Sequence, residues 1–64
     1  MWKLKIDIVG KNLLTLTVDG TERFQDKDAA RRAAEKARRW LFEEYHDGRI
    51  HDYTVDIVPA NDSH

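Results

Sequence analysis

From Asp26 to Asp47 the chain runs without a glycine or a proline, through a segment dominated by alanine, arginine, lysine and glutamate. Side chains of these types lose little rotamer freedom in a helix, so the stretch predicts one helix of about 30 Å, at 1.5 Å rise per residue. Asp26 and Asp28 sit where an N-cap and a first-turn carboxylate belong, and Gly48 is the expected residue to close the last turn in the left-handed conformation. A helix of this size takes up about a third of the 64 residues, and it gains most of its stability by laying an apolar stripe on something else. The remaining residues have to supply that surface.

They do so in three alternating stretches. Trp2, Leu4, Ile6 and Ile8 alternate with Lys3, Lys5 and Asp7, the period of a strand with one buried face. Gly10, Lys11 and Asn12 make a turn in which Gly10 and Asn12 can take positive φ, and Leu14, Leu16 and Val18 then alternate with Thr15 and Thr17 to give a second strand paired as a hairpin. Asp19 and Gly20 end it. Thr21–Gln25 is a connector whose one bulky apolar residue, Phe24, is placed to cover the end of the core. After Gly48, His51, Tyr53, Val55 and Ile57 alternate with Asp52, Thr54 and Asp56 as a third strand, which Pro59 stops. The sequence therefore reads as an α+β fold of order β-β-α-β, with one long helix on one face of a three-stranded, mostly antiparallel sheet. Residues 1–59 form a single domain and residues 60–64 a frayed tail. Strand order 2-1-3 is preferred, because it sets Lys3, Lys5 and Asp7 across from Asp52, Thr54 and Asp56 on the outer face, where opposite charges can meet.

A chain this short hides only about 60% of the surface its unfolded form exposes, so self-association would add to its stability. With no cysteine, neither a disulfide nor a thiolate metal site can staple the fold. The net charge is −1 with 36% charged residues, so no global field attracts nucleic acid or anionic lipid. No apolar run is long enough to span a membrane, and the alternating N-terminus is unlike a signal peptide, which leads to the expectation of a soluble, cytoplasmic protein.

At 100° per residue, Ala29, Ala30, Ala33, Ala34, Ala37, Trp40, Leu41 and Tyr45 share one arc of the helix, about 160° wide. This arc is expected to face the sheet, with the alanines allowing close approach and Trp40, Leu41 and Tyr45 filling the C-terminal end against Trp2, Ile6, Val55 and Ile57. Glu44 falls in the same arc and is expected to bend to solvent or to meet a lysine or His51. Phe42 lies outside the arc, between Arg31, Glu35 and Arg38. An aromatic side chain with an arginine rim, and with Tyr45 one turn further on, has the composition of an interface anchor. Phe42, Arg38, Arg31, Glu35 and Tyr45 are thus the expected contacts to a protein partner or to a second copy in a homodimer. Pairing at a sheet edge is the other expected route.

The arginine-rich helix also invites a nucleic-acid reading, in which Arg31, Arg32, Lys36, Arg38 and Arg39 would contact phosphates. It is the second choice, because Arg31 and Arg38 project to one flank while Arg32, Lys36 and Arg39 project to the other, so the positive potential is divided. His46–Asp47 and His51–Asp52 invite a metal reading with Glu44 as a further ligand, but a well-held third ligand is not obvious. The sole serine is Ser63 and there is no glycine-rich loop, so nucleophilic and phosphate chemistry have no support, and acid–base work by Glu44 with His51 lacks room for a pocket. The expectation is a non-enzyme without cofactor, metal or membrane partner. The element order recurs in many small phage, plasmid and bacterial proteins, and no residues here single out one family. The regular alternation and alanine-rich helix also suit a designed scaffold without biological activity, whereas the less idealised "YHDGRIHDYTVDIVPANDSH" favours a natural origin.

Overall fold

The computed structural model describes residues 1–60; most of the tail expected at 60–64, with Ser63 and His64, lies outside the described residues. The elements are β1 (Trp2–Gly10), β2 (Thr15–Asp19), α1 (Lys27–His46) and β3 (Ile50–Pro59). The sheet is antiparallel throughout with order β2-β1-β3, so the expected fold and strand order are both observed.

The hairpin between β1 and β2 closes on a three-residue loop. Leu13 N–H donates to Gly10 O at 2.8 Å, Asn12 Oδ1 accepts from Leu14 N–H, and Leu13 carries the positive φ, 66°. This is a type I turn followed by a left-handed residue. Positive φ was expected at Gly10 or Asn12; it falls instead on Leu13 because the left-handed position of this loop is the third one, whatever residue stands there. For the same reason Leu13 belongs to the turn and not to β2.

Central β1 sets the two faces. Ile6 stands between Val18 and Val55, and Ile8 between Leu16 and Tyr53, on the helix side. Lys5 stands between Asp19 and Asp56 on the other side, while Asp7 accepts a hydrogen bond from Thr17 Oγ1 at 2.6 Å and Lys3 lies 4.0 Å from Asp19. Of the charge pairing expected between β1 and β3, Lys5 stands opposite Asp56, but Lys3 stands opposite Val58 and Asp52 opposite Val9, and the side-chain contacts of Lys3 and Asp7 are to β2. A bulge interrupts the register between Val9 and Gly10: Val9 is opposite Asp52 but Gly10 is opposite Ile50. His51 is the extra residue on β3, so it is exposed. The inner position expected for His51 belongs to Ile50, which packs on the core because the bulge shifts the alternation by one.

The helix begins as expected on Asp26, whose side chain accepts from Asp28 N–H. It closes on Gly48 at φ 76°. Its buried line is Ala30, Ala34 and Leu41; the two small alanines bring the rod close to the sheet, and Leu41 fills the core formed with Leu4, Ile6, Ile8, Val55 and Ile57. Two expectations fail here. Trp40 and Tyr45 are exposed rather than core, because only the residues nearest the axis of contact reach a flat sheet and both rings stand on its flanks. Trp2 is not at the C-terminal end of the helix but at its start, bridged to Phe24 by two backbone hydrogen bonds and covered by Lys27 Nζ, 4.9 Å from the ring centroid.

Candidate protein-interaction surface

Where the helix lies on the sheet determines which surfaces remain open. Arg38 Nη2 donates to Val55 O at 3.0 Å, and Tyr45 meets Tyr53 edge to face with centroids 6.1 Å apart. Both belong to the same flank of α1, so that flank overhangs β3. Among the described residues the helix packs on β3 and to a lesser extent on β1, and makes no packing on β2. A helix is about 10 Å across and strands are about 4.8 Å apart, so one helix covers two strands of a three-stranded sheet and leaves the third.

The inner face of β2 is therefore apolar and wet. Leu14 is 70% exposed and Leu16 61% exposed, with Val18 beside them. The other flank of α1, which carries Ala29, Ala33, Ala37 and Trp40, is turned toward this strip, and Trp40 is 57% exposed. At the far end a depression is lined by Leu4, Ile6, Gly20 and Phe24. By its position on the helix the Trp40 flank stands beside β2 as one side of an open trough, and the Trp40 ring also lines a depression at the C-terminal end of α1 with Phe42, Glu44 and Arg49. The other side of the trough is open.

The two edges of the sheet differ. Gly10 N–H donates to Leu14 O and Gly20 N–H donates to Leu4 O, at 2.9 and 2.8 Å. By the alternation of an antiparallel ladder, Leu14, Leu16 and Val18 spend their backbone groups on β1, and Thr15, Thr17 and Asp19 direct theirs outward. The β2 edge has no lysine, proline or bulge within it, the devices that normally blunt an edge. The β3 edge has three: Pro59, the bulge at His51 and the guanidinium of Arg38 on the Val55 carbonyl.

The residues expected to form an interface on the outer helix face are placed as follows. Phe42 is 52% exposed and rests against His46, with ring centroids 6.2 Å apart. Of its arginine rim, Arg38 is held by Val55 O and Arg31 by Asp28 Oδ1 at 3.0 Å. Glu35 is exposed, and Tyr45 sits on the β3 side against Tyr53. Among the residues of the nucleic-acid reading, Arg32, Lys36 and Arg39 are exposed on the outer face, while Arg31 and Arg38 are engaged as described. The expected partner of Glu44, a lysine or His51, is corrected to Arg49, whose guanidinium bonds its carboxylate. That hydrogen bond, then the charges of Glu44 and Asp47, raises the Arg49 pKa above its ordinary value, so it stays charged throughout the working pH range. Among the described residues no three metal-ligating side chains come together, and no helix is long and apolar enough to cross a membrane.

Trp40, Leu14, Leu16 and Val18 are the surface residues that the sequence reading missed, since the alternation and the helical arc assigned all four to the core. The signal was present in the element count, because three strands with one apolar face are wider than the single helix available to cover them. In comparisons with protein-family models, curated proteins and solved structures, no match to this chain is found.

Proposed function

We propose that the protein is a small, non-catalytic protein-interaction module that binds through the trough over β2 and the adjoining strand edge. The observation that carries this reading is the uncovered inner face of β2, with Leu14, Leu16 and Trp40 all more than half exposed. Together with Val18 these side chains leave several large apolar groups in water on one side of a domain with a small core, a concentration of exposed apolar surface that a partner would cover with gain. The unguarded edge beside it offers hydrogen bonds in the same direction, so a partner gains apolar burial and main-chain pairing at once. The Phe42 face has a weaker basis, because its aromatic ring is shared with His46 and its nearest arginines are engaged within the chain.

A double variant, Leu16→Ser with Trp40→Ser, tests the proposal. Both side chains point into solvent, so the helical circular-dichroism signal is expected to persist while association, with itself or with another protein, is lost. The reading falls if wild type and variant behave alike, each migrating as a free monomer both when purified and in extract of the cells that make it.

A further inference from the structure

We infer that the occupant of the trough is a second copy of this chain, joined by antiparallel pairing of the two β2 strands about a two-fold axis at Thr17. The inference rests on the interaction reading above and adds its partner and register.

The register follows from which backbone groups point outward. Only Thr15, Thr17 and Asp19 offer theirs to a neighbour, and a symmetric antiparallel pair uses all three when Thr17 faces its own copy and Thr15 faces Asp19. Centring the pair one residue earlier would leave Asp19 facing the turn residue Leu13. The Thr17 register also opposes Leu16 to Val18 on the inner face, apolar to apolar, and Thr17 to Thr17 on the outer face, with no like charges opposed.

The product is a six-stranded sheet with both helices on one face. Each helix lies over its own β3 and β1, so their axes stand roughly four strand spacings apart, about 20 Å. Subtracting helix diameters of about 10 Å leaves a channel roughly 10 Å wide, which two inward-leaning side chains fill. Trp40 is the side chain positioned to do so. Thirteen residues into α1 from Lys27, it stands about 20 Å along the helix, level with Ile8 and Leu16 of its own chain. In the Thr17 register that is the level of Val18 and Ile6 in the second copy, beside the depression lined by Leu4, Gly20 and Phe24. Each copy thus brings both the knob and the hollow that the other requires. Two apolar patches and two strand edges bury roughly 1,000 Å² or more, the range in which specific interfaces begin.

Spin labelling tests the register directly, because the chain has no cysteine to remove. Labels at Thr17→Cys and, separately, at Thr54→Cys both sit on the outer face, away from the trough. In the inferred dimer the Thr17 backbones are about 5.5 Å apart and their labels broaden each other's spectra. Labels at Thr54 are separated by five strand spacings, about 24 Å or more, and do not. Trp40→Ala is expected to weaken dimerisation at least ten-fold while leaving the monomer's fold and its Tm at high dilution unchanged. A dimer lost in the Leu16→Ser and Trp40→Ser variant, but with position-17 labels more than 30 Å apart, overturns the pairing and leaves the interaction reading standing. So does a protein that is monomeric to millimolar concentration yet binds a foreign chain through the same residues. A wild-type protein that associates neither with itself nor with any other protein removes both.

Discussion

At the scale of single residues, stability is concentrated in few positions and one of them is strained. Leu13 holds a left-handed backbone at φ 66° with its side chain exposed, a conformation that costs a branched side chain about 1–2 kcal/mol. Leu13→Gly removes that cost and adds a smaller entropic one, so it is expected to stabilise the protein by about 0.5–1 kcal/mol, read as a rise in urea midpoint. Leu41 is the opposite case. It is the one large side chain fully buried among the described residues, at 1% exposure. Leu41→Ala is expected to cost about 2–5 kcal/mol, enough to unfold a large share of a domain this small at 25 °C. Asp26 and Gly48 were legible from residue type alone, because capping chemistry is local. Leu13 was not, since the loop's geometry imposes the conformation on a residue whose type gives no sign of it.

At the scale of elements, periodicity located the helix and all three strands, because alternation at period 2 and a glycine-free alanine-rich run are both written directly in the chain. Strand order was legible from charge: Lys5 between Asp19 and Asp56 is the arrangement that pairs opposite signs. What the periodicity could not give was lateral position. A helical arc states which side chains face the sheet but not which strands lie beneath them, and the shift of α1 toward β3 turned Trp40 and Tyr45 from core residues into surface ones. The bulge at His51 was hidden for a related reason, as it depends on the pairing of β1 with β3 and not on either strand alone. The N-cap is expected to matter at this scale: Asp26→Ala should lower stability by about 1 kcal/mol, seen as a lower Tm.

At the scale of the whole molecule, the chain has one more strand than its helix covers, and its thermal behaviour should show this. If the uncovered strand is shared between copies, Tm rises with protein concentration, since association stabilises only the folded form. Amide exchange at Thr15, Thr17 and Asp19 slows over the same concentration range, while the amides of Leu16 and Val18, already spent on β1, respond less. A Tm independent of concentration from 5 to 500 μM, in the range of ~100-fold where such linkage is readily seen, would count against self-association. The Arg38 guanidinium on the Val55 carbonyl then acquires a different meaning. A sheet with two bare edges adds subunits without limit, whereas one with a single bare edge stops at two. In a pair joined through β2, Arg38 would act with Pro59 and the bulge at His51 as a chain terminator, setting the order of assembly more than the strength of any contact. Arg38→Ala leaves Pro59 and the bulge at His51 as the remaining blocks on β3, so it is expected to raise concentration-dependent light scattering above the wild-type level, and most strongly when combined with Pro59→Thr.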